Sequence, residues 1–207
     1  MEASTAGGSA RREFERRKDA RAARVQQRWG RASGLVLALT SEPQSTQAWA
    51  TGAEGEELVA KRFEALVESG AIVLHDRRIP GTKANIDHIV ITAAEVIVVD
   101  TKKYKGKIET GKNWLKVNGR DQTKLIDGLR KQVDLVAEHT DRPEVTGALC
   151  FVEGEFALIR SKQVQGFTVC GPRKLAKRLG ERHEQATSAG LDIEAVAAII
   201  DQRFVPA

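Results

Sequence analysis

Cysteine and long apolar runs are what this chain most plainly lacks. Cys150 and Cys170 are the only two cysteines, each inside an apolar, strand-like run with no His or second Cys at metal-ligand spacing. Both read as buried free thiols rather than as parts of a disulfide framework or a zinc site, which suits a reducing cytoplasm. No apolar stretch approaches the ~20 residues of a membrane-spanning helix; Leu35 to Leu39 is typical of the short runs present. The N-terminus carries no apolar signal core followed by a cleavage site. The expectation is a soluble, cytoplasmic protein.

A large charge excess is also missing, since the formal net charge is only +5 over 207 residues. It is unevenly placed: residues 11 to 31 hold nine Lys or Arg against three acids, and the remainder after them sums to zero. The basic character therefore belongs to one arm. The length fits one globular domain with extensions. Residues 1 to 10, MEASTAGGSA, are small and polar and read as a disordered lead. Residues 11 to 50 read as a basic helical arm and linker, and residues 51 to 207 as the folded body.

Within the arm, Arg17, Arg21, Arg24 and Arg28 fall on one helical stripe. Such a stripe is either a nucleic-acid contact or the solvated face of a helix packed on the body through Phe14, Val25 and Trp29; the two readings weigh equally. Residues 40 to 50, TSEPQSTQAWA, read as a polar connection. Thr51 and Glu54 match a capping box, which predicts a helix from Thr51 to about Gly70. On that helix Glu54, Glu57, Lys61, Glu64 and Glu68 mark the solvent face, and Val59, Phe63 and Leu66 the buried one. Glu56 belongs with the buried set, and a carboxylate aimed at the core needs a partner.

Strand patterns follow at 71 to 76, 85 to 92 and 95 to 102, with Asn118-Gly119 as a later turn signal. A second amphipathic helix spans 121 to 139, with Leu125, Leu129, Val136 and Gln132 on its stripe. Strands at 146 to 152, 156 to 159 and 165 to 170, and helices at 173 to 182 and 191 to 203, complete the pattern. The order predicts an α/β domain: a mixed β-sheet flanked by helices.

The chemistry concentrates in IDHIVITAAEVIVVDTK, residues 86 to 102. If its two strands form a hairpin turning at Ala93 and Ala94, opposed residues have numbers summing to 187, and Asp87 faces Asp100. Their Cβ atoms are then about 4.5–5.5 Å apart, and two such carboxylates repel unless a cation sits between them. Lys102 shares the face of Asp100 one pleat on. Mg²⁺ takes one or two protein carboxylates and keeps other positions for water and phosphate, and it can activate water for attack on a phosphodiester. Lys102 is placed to orient that water or to offset transition-state charge. The alternative is a buried ion pair of Lys102 with Asp100 or Asp87 that serves structure alone.

His88 points away from Asp87 and reads as a packing residue, as does His75. The stretch GKIETGKN (106 to 113) fails as a phosphate-binding loop at Asn113 and is followed by strand pattern. Lys102, Lys103, Lys105, Lys107 and Lys112 cluster around Tyr104 and Trp114, either to track a phosphate backbone or as a lysine-rich edge that resists aggregation.

These residues resemble the NERD (nuclease-related) domain, a branch of the PD-(D/E)XK nuclease superfamily. The pieces that carry the resemblance are GAEGEE (52 to 57), HDRRIPGTKANIDHIVI (75 to 91), VIVVDTKKYKGKIE (96 to 109) and, more weakly, a helix bearing Gln132. The resemblance implies a restriction-endonuclease-like fold, Mg²⁺ or Mn²⁺ as cofactor, and nucleic acid as partner, DNA favoured over RNA. It implies Glu56 as the first-helix acid, Asp87 and Asp100 as metal ligands with the Thr101 carbonyl and Glu56, Lys102 as the catalytic lysine, and Gln132 against water or phosphate. Arg17, Arg21, Arg24, Arg28, Lys103 and Lys105 are the candidate nucleic-acid contacts. Two departures stand out: no Asn-Pro precedes Gln132, and Asp100 stands where the family more often has the longer Glu. Beside the nuclease reading stands a silent nucleic-acid- or partner-binding module that keeps the fold.

Overall fold

The computed structural model describes residues 5–140, 144–156, 162–186 and 190–207. The chain opens with helix α1 (Gly8–Trp29), a short 3₁₀ turn (Gly30–Ala32) and helix α2 (Ser33–Leu39), and returns along helix α3 (Gln44–Glu68). Strands β1 (Ile72–Arg78), β2 (Asn85–Ile91) and β3 (Val96–Lys102) follow in sequence. The chain then enters β4 (Gly106–Thr110), β5 (Leu115–Val117) and β6 (Arg120–Asp121), and helix α4 (Lys124–Glu138). It ends with β7 (Val145–Phe151), β8 (Gly154–Phe156), β9 (Lys162–Val164), β10 (Phe167–Cys170), and helices α5 (Pro172–Gln185) and α6 (Ile193–Arg203).

Six strands form the main sheet in the order β1-β2-β3-β7-β10-β9. The first three are antiparallel neighbours, whereas β3, β7 and β10 run parallel, so their carboxyl ends share one edge. Val59, Phe63 and Leu66 of α3 and Leu175 and Leu179 of α5 cover one face, against Val90, Ile97, Val99 and Cys150. Ile126, Leu129, Val133 and Val136 of α4 and Ile200 of α6 cover the other, against Ile89, Ile91, Val96, Val98 and Leu149. With both faces covered, the central strands are apolar nearly throughout. The expected mixed sheet flanked by helices is therefore what the chain forms.

Several sequence expectations change. The predicted helix start at Thr51 is wrong: α3 begins seven residues earlier, at Gln44 after Pro43. Thr51 and Glu54 lie mid-helix, because residues 44 to 50 contain no breaker, Thr46 is buried and Trp49 packs under Arg17 at 5.6 Å. The supposed linker is thus continuous with the first helix of the body. Residues 5 to 10 are not a solvated lead: Ala6 and Ala10 are buried and α1 starts at Gly8. Residues 1 to 4, and most of the strand expected over 156 to 159, lie outside the described residues. The lysine-rich segment after β3 forms a separate four-stranded sheet, β6-β5-β4-β8.

The β2–β3 hairpin turns at Ala93 and Ala94 without a glycine. The Thr92 hydroxyl accepts from the N–H groups of Ala94 (3.2 Å) and Glu95 (3.1 Å), replacing a main-chain acceptor in the manner of Ser/Thr turns. Among the described residues, no helix is long and apolar enough to cross a membrane.

Candidate active site

The hairpin register fixes the centre. His88 pairs with Val99 and Ile89 with Val98, numbers that sum to 187, which makes Asp87 and Asp100 the next opposed pair. There the main-chain ladder gives way to a side chain: the Thr101 N–H donates to Asp87 Oδ2 at 2.6 Å. Side-chain alternation puts Asp100 and Lys102 on the face of Val96 and Val98, and the Lys102 ammonium donates to Asp100 Oδ1 at 2.6 Å. It also lies 3.4 Å from the Thr101 carbonyl oxygen.

Glu56 reaches this edge from α3. Gly55 lets the helix approach β3 closely, since a Cβ there would lie 3.1 Å from Lys103 Cβ. Glu56, Asp87, Thr101, Lys102 and Tyr104 line a cleft of about 590 Å³, walled on its far side by Ala10 and the start of α3. The partner that Glu56 requires is the Gly7 N–H, 3.0 Å from its Oε2. Its neighbour Glu57 turns outward to Arg11, as the helical phase requires.

Asp76 is the acid that sequence reading missed. It continues the row on β1, because His75 pairs with His88 and Arg77 with Ile86, bracketing Asp76 opposite Asp87. Asp76 is buried, with a positive φ of 48°. Its carboxylate accepts from the Ser9 N–H and the Ser9 hydroxyl, both at 2.6 Å, and from the Asn85 amide at 3.1 Å. A strand residue thus caps α1, whose own N-cap, Gly7, has no side chain to do so. The signal was present in His75-Asp76 of the motif, but the six-residue loop from Ile79 to Ala84 hid the β1–β2 register.

Crowding of acids shapes the electrostatics. Burial, then the charges of Asp87 and Asp76, push Glu56 up to about 9 against the Gly7 N–H and Lys102. Burial and Asp100 push Asp87 up to about 7, opposed by Lys102 and the Thr101 N–H. Burial pulls Lys102 down, but Asp100 and Asp87 outweigh it and hold the ammonium above its usual range.

This donor set suits one divalent cation. Two facing carboxylates with an adjacent main-chain carbonyl match what Mg²⁺ takes from a protein, and the Lys102 ammonium already rests on two of those oxygens, Asp100 Oδ1 and Thr101 O. Among the described residues, no group of three or more His, Cys, Asp or Glu is arranged to hold a metal ion.

The remaining expected residues divide. Gln132 lies half-buried on α4, its amide oxygen enclosed without a hydrogen-bond partner among the described residues. His88 packs edge-on against Phe63 and meets His75 through their Nδ1 atoms at 2.8 Å, on the face away from Asp87. Arg17 bonds Glu13 at 2.6 Å and lies over Trp49 of α3, whereas Arg21 bonds Glu42, in the connection before α3, at 2.7 Å. Lys103 is engaged by Glu54 and Glu153. Arg24, Arg28 and Lys105 stay exposed, although Lys105 comes within 3.9 Å of Glu153.

Residues 51–152 match the family model described as the nuclease-related domain, NERD. No curated protein and no solved structure matches the chain.

Proposed function

From the match of residues 51–152 to the nuclease-related domain family, we propose that the protein is a Mg²⁺- or Mn²⁺-dependent phosphodiesterase acting on DNA, in processing or repair. The observation that carries this reading is the register that sets Asp87 beside Asp100, with Lys102 on the same strand edge and Glu56 lining the same cleft.

Asp87, Asp100 and the Thr101 carbonyl would hold the ion, with Glu56 nearby. The ion supplies Lewis-acid activation of water and charge neutralisation at the scissile phosphate. Lys102, kept protonated by its two acids, directs its N–H groups at the attacking water or the developing phosphorane charge. Glu56, raised to about 9 in the metal-free site, would give up its proton more readily beside a bound dication. Gln132, with its enclosed amide oxygen, is the candidate to hold water from the α4 side. Arg24, Arg28 and Lys105 remain for the phosphate backbone, whereas Arg17, Arg21 and Lys103 serve first to hold the arm and α3 in place. The two free thiols, Cys150 and Cys170, fit a cytoplasmic setting.

A second reading, a silent nucleic-acid-binding module, is favoured by the tight Lys102–Asp100 pair and by Gly7 on Glu56. Incubation of supercoiled plasmid and of single-stranded DNA with Mg²⁺ or Mn²⁺ separates the two. Metal-dependent product that disappears in Lys102→Ala supports the nuclease. Salt-dependent binding with no metal-dependent product, alike in wild type and Lys102→Ala, supports the silent module.

A further inference from the structure

A second cavity opens on the same edge of the sheet. The carboxyl ends of β3, β7 and β10 are Lys102, Phe151 and Cys170, and Lys102 stands beside Phe151 in the ladder. Ligands of open α/β sheets gather at such carboxyl ends. The active-site cleft takes the end of β3. A cleft of about 600 Å³ takes the ends of β7 and β10.

Its floor and walls are apolar: Leu58, Phe151, Val152, Phe156 and Pro172 line it. Phe151 and Phe156 meet edge to face at 6.3 Å, and Tyr104 of the active-site cleft lies 6.0 Å from Phe151. Phe151 is itself only 1% exposed, so the rings that reach the two clefts are Phe156 and Tyr104, each packed on Phe151. The rim is basic. Arg62, Arg173 and Lys174 are exposed there, and none makes an ion pair or hydrogen bond among the described residues. The rim's acid, Glu153, faces Lys103 at 3.6 Å and Lys105 at 3.9 Å, so its charge is already answered.

An apolar, aromatic pocket with three uncommitted cations on its lip matches a nucleoside and its phosphate. We propose that this cleft is a nucleotide subsite for an unpaired stretch of the nucleic-acid strand whose backbone runs to Asp87, Asp100 and Lys102. The base enters against Phe156, which Phe151 backs from the core, and the phosphates lie along Arg62, Arg173 and Lys174. Strands about 4.8 Å apart place the subsite roughly 10 Å from the end of β3, within reach of a single strand. The subsite deepens the nuclease reading and takes from it the identity of the strand; its binding does not require that the site cuts.

The test is binding of a fluorescent single-stranded DNA oligonucleotide to the full chain in EDTA, with single-stranded RNA of the same sequence and a blunt duplex as parallel arms. The expected result is that Arg62→Ala/Arg173→Ala/Lys174→Ala, all on exposed positions, weakens single-strand binding by about tenfold and reduces the log–log salt slope by about 2. Phe156→Ala should weaken it with the slope unchanged, as loss of stacking does. Equal loss for DNA and RNA is expected of base stacking; loss for one sugar alone assigns the subsite to that strand. Single-strand affinity and slope unchanged in the triple variant, with its melting temperature intact, overturns the subsite, as does a wild type that binds only duplex. Loss of binding in the triple variant beside a wild type that never cleaves keeps the subsite and removes only the hydrolytic reading.

Discussion

The Thr101 N–H donates to Asp87 Oδ2 at 2.6 Å, so the β2–β3 ladder passes from main chain to side chain at the residue where the acids gather. Asp87 has both a structural bond and a charge, and the two are separable. Asp87→Asn keeps an oxygen for Thr101 and removes the repulsion with Asp100 and Glu56. Without metal, Asp87→Asn is expected to melt at or above the wild-type temperature. With Mg²⁺ at about a hundred times its Kd, the wild type should gain roughly 5–10 °C and the variant nothing. Thermal melts with and without Mg²⁺ check this; a variant that gains as much as wild type contradicts it.

The pH dependence of the metal-free protein follows from Glu56. Its folded value of about 9 lies above the ordinary 4.5, so between those values the folded state binds more protons than the unfolded one. Stability is then fully present below about pH 4.5 as far as this group is concerned, and is lost progressively as pH rises toward and through 9. Asp87, raised to about 7, adds a loss of the same sign at lower pH. Denaturant melts in EDTA should show lower stability at pH 8.5 than at pH 6, and Glu56→Gln should flatten that difference. An unchanged slope in Glu56→Gln would show that the carboxyl is ionised in the fold.

Asp76 holds the arm to the site through Ser9 and Asn85. Asp76→Asn tolerates the positive φ but withdraws one acceptor oxygen, at a cost of about 1 kcal/mol. Hydrogen exchange over residues 8 to 12 should accelerate more than in the sheet. Equal protection in both proteins would mean that Asp76 does not cap α1.

The arm arginines are expected to separate by role. Arg24→Ala/Arg28→Ala removes exposed cations and should weaken DNA binding and its salt dependence without changing the melting temperature. Arg17→Ala/Arg21→Ala removes the contacts with Trp49 and Glu42 and should lower the melting temperature by roughly 2–4 °C. Calorimetry and anisotropy on both variants distinguish this division from a uniform basic stripe.

Much of the site was legible because a strand period of two is rigid. With Ala93 and Ala94 as the turn, the shared face of Asp87, Asp100 and Lys102 follows by arithmetic, and helix phasing separates Glu56 from Glu57. What stayed hidden depends on distant parts of the chain. Gly7 bonding Glu56 and Ser9 bonding Asp76 span 49 and 67 residues, and no local pattern encodes such contacts. The capping box at Thr51 misled because a cap motif acts only where the helix ends, and packing of Thr46 and Trp49 extends α3 past it. The arginine stripe left two readings open, and it divides between them because Glu13 and Glu42 engage Arg17 and Arg21.

Anomalous diffraction from crystals grown with Mn²⁺ addresses the carboxylate pair without relying on turnover. A peak between Asp87 and Asp100, with the Lys102 ammonium moved off Asp100 and the peak absent in Asp100→Asn, is expected. Ordered Asp87 and Asp100 side chains with no peak at millimolar Mn²⁺, and Lys102 still bonded to Asp100, would show the pair to be a structural ion bridge and not a metal site.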